Sequence, residues 1–154
     1  MLILAVLLYG AEAWTLLSTD AAALRVFERK VVLRKIFKPR RVGDDFRIRF
    51  NSELYELFNY MDVVQRINIQ RLSWLGHVVR MEEEAPTRRV FDAGICRSRR
   101  RGRPCIRWKN KIEEALSSIC VTNWRRRAKS RSAWKDVLRQ AEIRLSGCYG
   151  QLSK

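Results

Sequence analysis

The chain has 154 residues and a formal net charge of +16 at pH 7. Hydrophobic residues make up 47% of it, which is enough to build a core and argues against wholesale disorder. Because this length is typical of one domain, we expect residues 1–154 to form a single unit. Such an excess of Lys and Arg repels itself unless a polyanion or an acidic surface neutralises it, so the composition favours nucleic acid as the partner.

An apolar run opens the chain, and Ala11-Glu12-Ala13 after it is similar to a signal-peptide cleavage site. No Lys or Arg precedes the run, and it is shorter than the ~20 residues that a membrane span needs. We therefore expect a buried segment that continues into a turn at Tyr9-Gly10. The residues argue against a membrane protein and against secretion, and predict a nuclear or cytoplasmic location.

Leu24, Phe27 and Val31 recur at helical spacing, which predicts a helix that begins near residues 18–20 and ends at Pro39. Ser18, Thr19 and Asp20 offer N-cap oxygens for this helix. Its remaining surfaces are strongly cationic. We expect an amphipathic helix with a solvated face, whose candidate phosphate contacts are Arg25, Arg29, Arg34 and Lys35.

Residues 40–50 predict a loop that contains Gly43-Asp44-Asp45. Adjacent aspartates hold catalytic metal ions in polymerases, but that chemistry needs a third carboxylate and flanking strands, which this sequence does not show. A polar turn is the better interpretation. We predict no catalytic residue, no metal, no cofactor and no small-molecule substrate.

Two helices are predicted next, one capped by Asn51 and ending at Phe58, and a longer one capped by Asp62. The longer helix carries one mainly apolar stripe, formed by Val64, Ile67, Arg71, Leu72, Leu75, Val78 and Val79. His77 follows Gly76 within this helix. We predict a packing or capping role for His77, because no nucleophile or orienting carboxylate lies near it in sequence.

Residues 87–103 have no sustained period and predict a long basic loop. Guanidinium groups bind phosphate oxygens bidentately, and Gly102 lets the backbone approach a ligand closely. Arg101-Gly102-Arg103-Pro104 also resembles an AT-hook core, and a nuclear-localisation signal is a further alternative. The candidate phosphate contacts in this loop are Arg97, Arg99, Arg100, Arg101 and Arg103.

A C-terminal helical pair is predicted over residues 104–146. Pro104 suits the first turn of one helix, and Asn123 can cap a final helix that continues through Ala141. The tryptophans of this pair lie on apolar stripes, so we expect core packing. Trp108 is the exception worth testing for base stacking, because it lies between Arg107 and Lys109, two further candidate contacts.

No stretch alternates in the manner of a strand, so the sequence predicts an all-α fold, an irregular bundle of about five helices with the long basic loop. The four cysteines include no CxxC pair, which argues against structural zinc. They allow three disulfide pairings, although free thiols suit the reducing compartment of a nucleic-acid binder. The oligomeric state is left open.

Five stretches of the chain form recognisable motifs: VLLYGAEAWTL at 6–16, LRVFERKVVLRKIF at 24–37, RIRFNSELYEL at 47–57, RLSWLGHVVRM at 71–81 and RGRPCIRW at 101–108. Together, and above all through the last two, they resemble the region after the polymerase core in non-LTR (LINE-type) retrotransposon reverse transcriptases. The spacing of Trp124, Ala128, Arg131 and Trp134 is similar to the closing motif of that region. Phe46, Asn110 and Ser130 depart from the family pattern, which fits sequence drift.

The resemblance implies thumb-like helices over residues 1–86 and a segment that grips RNA or DNA. It also implies that the catalytic palm and the endonuclease would precede Met1, so that polymerase activity is absent from this chain. The sequence thus predicts a non-catalytic nucleic-acid-binding segment. The alternatives are a structural or interaction remnant without independent activity and, less favoured, a secreted cationic protein.

Overall fold

A computed structural model describes residues 2–59, 61–93 and 107–147 of the chain. The fold is all-α, as predicted, with one small two-stranded sheet. The described residues form nine α-helices rather than the expected five, because two predicted helices are interrupted and because α1 and α6 were not predicted as helices. The helices are α1 (Leu2–Leu8), α2 (Ser18–Phe27), α3 (Arg34–Phe37), α4 (Asn51–Phe58), α5 (Val63–Arg80), α6 (Pro86–Asp92), α7 (Trp108–Ser118), α8 (Trp124–Lys129) and α9 (Arg131–Gly147).

The N-terminal segment buries Leu4 and Leu8 and then turns at Tyr9-Gly10, where Gly10 has a φ of 69°. A short 3₁₀ turn follows at Ala11–Ala13. The helix predicted before Pro39 is present, but its centre, Glu28–Leu33, is a π-helix that joins α2 to α3. Asp20 stabilises the start of α2 by accepting a hydrogen bond from the Leu17 backbone N–H at 3.1 Å.

Residues 40–50 differ from the predicted loop, because β1 (Arg40–Val42) and β2 (Asp45–Arg47) form an antiparallel hairpin. Its two-residue loop is Gly43-Asp44. Gly43 has a φ of 64° at the first central position, as in a type II′ turn. The strands are too short for a period to be visible in the sequence, so the turn residues were the only local signal.

Asp62 caps α5 as predicted. Its Oδ1 accepts a hydrogen bond from the Gln65 backbone N–H at 2.7 Å, and the Gln65 side chain accepts one from the Asp62 N–H at 3.2 Å. This reciprocal capping box satisfies two backbone donors that the helix leaves unpaired. Every member of the predicted apolar stripe of α5 is buried, including Arg71.

The predicted loop over 87–103 is wrong in its first part, because Pro86–Asp92 form α6. Proline at the first helical position favours this start, since its missing N–H would have been unpaired there. Residues 94–106 lie outside the described residues, as does the predicted helix start at Pro104. The next described helix, α7, begins at Trp108.

The single final helix predicted after Asn123 is interrupted at Ser130, which separates α8 from α9. Ser130 adopts an extended backbone, with φ −92° and ψ 123°. Its carbonyl accepts a hydrogen bond from the Trp134 N–H at 3.0 Å, and its Oγ accepts one from the Ala133 N–H at 3.4 Å. Ser130 thus acts as the N-cap of α9, a position that serine favours.

Two hydrophobic clusters form the core, and α5 contributes to both. The N-terminal half of α5 packs with α1, α4 and the π-helical segment Glu28–Leu33 through residues such as Leu33, Leu54 and Ile67. Its C-terminal half packs with α7, α8 and α9 through residues such as Leu75 and Leu116. The long central helix therefore connects the two ends of the described chain.

Candidate nucleic-acid interface

The predicted centre of the interface falls outside the described residues. Arg97, Arg99, Arg100, Arg101 and Arg103 all lie within 94–106, so their role stays a prediction. The other predicted cations, on the helix over residues 18–37 and at the start of α7, can be located.

The cations predicted on the helix over residues 18–37 differ in their availability. Arg25 pairs with buried Asp62, with 2.7 Å between Nε and Oδ2. Arg29 donates to the Tyr55 hydroxyl at 3.4 Å, and Arg34 donates to Asn51 Oδ1 at 3.4 Å. Lys35 is exposed, and no partner for it is found in the described part of the chain. Sequence spacing alone did not reveal that three of these four side chains have internal partners.

Behind these cations lies a buried pair of acids, Glu28 and Asp62, both fully inaccessible to solvent. Neither carboxylate oxygen of Glu28 has a hydrogen-bond partner among the described residues. Burial raises the pKa of Glu28 to about 7, and the charge of nearby Asp62 adds to the rise while those of Arg66 and Arg29 oppose it. The inner face of this helix therefore places a buried acid beside the apolar side chains of Val32 and Leu33.

At the start of α7, Arg107 is exposed, while Lys109 lies over the Phe91 ring at 5.2 Å from its centroid. Trp108 is half-buried against the C-terminal cluster, and its indole N–H donates to the Glu12 carbonyl at 2.7 Å. This bond connects α7 to the 3₁₀ turn near the N-terminus. The contacts favour packing over base stacking for Trp108.

The packing role predicted for His77 is wrong, because this side chain is exposed on α5. It lies beside the half-buried Trp74, with 5.1 Å between the ring centroids. Because side chains one position apart on a helix point in different directions, the His77 side chain points away from the apolar stripe. The apolar residues around it in the sequence made a buried position look equally plausible. Trp134 does pack in the core, as predicted, and is almost completely buried.

Exposed cations at the α8–α9 junction were missed as candidate contacts. Four of them, Arg126, Lys129, Arg131 and Lys135, have no carboxylate partner among the described residues. Arg125 beside them pairs weakly with Asp92 at 3.6 Å. Burial lowers the pKa of the Arg80 guanidinium, and the positive charge of nearby Arg131 lowers it further. The run Arg125-Arg126-Arg127 was the feature of the sequence that could have identified this cationic surface. We call this set the junction cations: Arg126, Lys129, Arg131 and Lys135.

The hairpin is the second surface that sequence reasoning missed. Arg41 and Phe46 are directly opposite each other in its register, and both are exposed. Arg40 and Arg47, also opposite each other, both pair with Glu53 on α4. These contacts lower the pKa of Glu53 to about 2, with the Arg47 hydrogen bond as the main cause.

Asp44 and Asp45 lie at the hairpin turn, where both are exposed and Asp44 pairs with Arg41 at 3.5 Å. Within 2–59, 61–93 and 107–147, no group of three or more His, Cys, Asp or Glu side chains could hold a metal ion. None of the helices described there is long and apolar enough to cross a membrane.

Comparisons with known proteins leave the family open. No protein-family model, no curated protein and no solved structure matches this chain.

Proposed function

We propose that this chain is a non-catalytic nucleic-acid-binding segment that contacts RNA or DNA mainly through phosphates. The Arg-rich loop predicted from the sequence, residues 97–103, would carry most contacts. The junction cations and the exposed Arg107 and Lys35 would add to them. The resemblance to the region after the polymerase core of LINE-type reverse transcriptases supports the same proposal.

The observation that carries the proposal is the uncompensated positive charge. The chain has 32 Lys and Arg against 16 Asp and Glu, and residues 86–111 alone carry a net +9. Ion pairs among the described residues, such as Lys111 with Glu114 and Arg139 with Asp136, use cations outside the junction set. Exposed cations without counter-charges release bound counterions when they meet phosphates, which drives association.

A salt-titrated binding assay tests the proposal on single-stranded RNA, duplex DNA and A·T-rich duplex DNA. If about six phosphates are neutralised, the logarithm of affinity falls against the logarithm of salt with a slope near −5. Replacing Arg99, Arg100, Arg101 and Arg103 with Ala should flatten this slope by about 3. If this variant loses affinity for the A·T-rich duplex but not for the other two nucleic acids, the loop binds in the manner of an AT-hook.

Two matched double variants separate the junction cations from general charge effects. Arg126→Gln with Lys129→Gln and Lys111→Gln with Arg139→Gln each remove two positive charges. The first pair removes uncompensated cations and should reduce the slope, whereas the second removes ion-paired cations and should leave it nearly unchanged. Absence of binding to all three nucleic acids at low salt, or binding independent of salt, would contradict the proposed function.

A second candidate function, a structural or interaction role, is favoured by the apolar surface of α1. Ile3 and Val6 on α1 and Tyr9 in the turn after it are exposed, beside an open apolar groove lined by Leu7, Trp14 and Phe27. A chain that lacks a protein partner for this surface should pack loosely. Strong far-UV but weak near-UV circular dichroism of the isolated protein would support this alternative.

A further inference from the structure

The segment after the hairpin turn, residues 46–50, has its apolar side chains outward and its arginines inward. Phe46, Ile48 and Phe50 are 72%, 66% and 65% exposed. Arg47 forms a 2.7 Å ion pair with Glu53, and Arg49 donates to the carbonyls of Phe37 and Lys38 at 3.2 and 3.0 Å. Both arginines are half-buried.

This arrangement reverses the usual orientation of an amphipathic segment, in which apolar side chains face the core. The arginines have a local reason to face inward, because Glu53 and the last carbonyls of α3 are good acceptors for guanidinium groups. The apolar side chains are displayed outward as a consequence. A single exposed apolar residue needs no explanation, but a row of three in five residues indicates a contact surface.

Phe46 differs from Ile48 and Phe50 in the position of the cations around its ring. Cross-strand partners lie on the same face of a hairpin, so Arg41 and Phe46 are neighbours on its outer face. The Arg41 side chain is 68% exposed even though it pairs with the exposed Asp44 at 3.5 Å and donates to the Gly43 carbonyl at 2.9 Å. Lys38 at the base of the hairpin is exposed as well. Phe50 is different, because the Arg47 guanidinium covers its ring at 4.5 Å from the centroid.

We propose that the outer face of this hairpin binds single-stranded nucleic acid, with an unpaired base stacked on Phe46 and the adjoining phosphate on Arg41. This inference rests on the proposed function and adds a preference for unpaired strands. An exposed aromatic ring beside a guanidinium fits both parts of a nucleotide, since every base has a π-face and every phosphate a negative charge. A duplex keeps its bases stacked on each other and cannot offer one to Phe46.

Charge decides between this ligand and an apolar protein partner. Residues 38–53 carry five cations and three acids, Glu53 included, so a protein surface docked here would still have to desolvate or neutralise an excess of positive charge. A single strand neutralises that charge with its own phosphates. The cationic rim thus favours nucleic acid over an uncharged partner.

The test uses fluorescence anisotropy on the whole chain with a labelled oligouridine RNA of about 15 nucleotides, a length within the site sizes of single-strand binders. A duplex of equal length is the comparison. Phe46→Ala and Phe46→Leu should each weaken single-strand binding by about 10-fold, because both remove the stacking ring. Phe46→Tyr should bind like the wild type.

Three features of the result identify stacking. The slope of affinity against salt should not change in Phe46→Leu, since no charge is lost, whereas Arg41→Gln should reduce it by about 0.7. Duplex binding should be unaffected by Phe46→Leu. Phe50→Leu is the matched control and should have little effect. Its side chain is 65% exposed, close to the 72% of Phe46, but the Arg47 guanidinium already lies over one face of its ring.

Each remaining outcome overturns the inference in a recognisable way. If the wild type binds neither oligonucleotide at low salt, the proposed function fails together with this inference. If the wild type binds but all Phe46 variants bind equally well, only the inference fails. If Phe46→Leu instead lowers self-association in sedimentation experiments without changing RNA affinity, the face contacts a second copy of this chain.

Discussion

The indole ring of Trp134 lies directly against the backbone of Gly76. Its N–H donates to the Leu72 carbonyl at 3.0 Å, and a Cβ atom on Gly76 would lie well inside van der Waals contact with Nε1 and Cδ1 of the ring. Glycine inside a helix costs ~1 kcal/mol relative to alanine. The close approach of α9 to α5 explains why α5 has a glycine at this position.

Gly76→Ala should therefore destabilise the protein, although the same change at an exposed helical site is stabilising. Overpacking of this kind costs ~1–3 kcal/mol, because the ring or the helix must shift. Urea denaturation measures the change in the free energy of unfolding. Ser73→Ala, one turn away and exposed on the same helix, is the control and should stay within ~0.5 kcal/mol of the wild type.

Stability should fall as pH rises through neutrality because of Glu28. Its pKa is raised from 4.5 to about 7 by burial, so the folded state holds a proton that the unfolded state has lost between these values. The contribution of protonated Glu28 to the free energy of unfolding is fully present below pH 4.5 and is lost as pH rises through the pKa of the folded state. The slope should reach ~1.4 kcal/mol per pH unit at most.

Glu28→Gln isolates this effect, because the amide keeps the shape of the protonated acid but does not titrate. Denaturation midpoints measured from pH 5 to 8 should fall for the wild type and stay closer to level for the variant. Stability of the wild type that rises over the same interval would show that Glu28 is ionised without cost in the folded state.

Asp62 combines a helix cap with an ion pair, and two substitutions separate them. Asp62→Asn keeps an oxygen for the Gln65 N–H but loses the charge that pairs with Arg25. Asp62→Ala loses both and should cost ~2 kcal/mol, with Asn closer to the wild type. Thermal unfolding followed by circular dichroism measures both. Equal losses for the two variants would assign the stabilisation to the charge alone.

Cys120 occupies a backbone position that favours glycine. Its φ is 53°, and it follows α7 in a Schellman motif, in which the Val121 N–H donates to the Leu116 carbonyl at 3.1 Å. Cys120→Gly should raise the free energy of unfolding by ~0.5–1 kcal/mol, since the left-handed strain disappears. Cys120→Ala removes the same thiol without relieving the strain, so a gain from Ala as large as that from Gly would argue against this explanation.

Local patterns were sufficient for the central helices. The stripe on α5 and the Asp62 cap follow from a 3.6-residue period and a short polar side chain at the helix start, and both were predicted correctly. The hairpin over residues 40–47 and the interruption at Ser130 were not predicted. Strands of three residues are too short to show a detectable alternation of side chains. Ser130 can be identified as an N-cap only from its hydrogen bond with the Trp134 backbone N–H, which the structure shows.

The candidate interface shows the same division. Composition alone indicated a polyanion partner, because net charge does not depend on the fold. Which cations are available depends on three-dimensional neighbours. Asp62 is 37 residues from Arg25, and that separation hides their ion pair from any local pattern.

The sequence by itself determined the all-α class, the positions of α4 and α5 and the excess positive charge, since each depends on local period or on composition. Only the tertiary structure decided that Phe46 and Arg41 share an outer face and that Trp134 requires Gly76. The reason is physical: side-chain availability and close packing are set by contacts between residues distant in the chain, and these contacts leave no periodic signal in either segment.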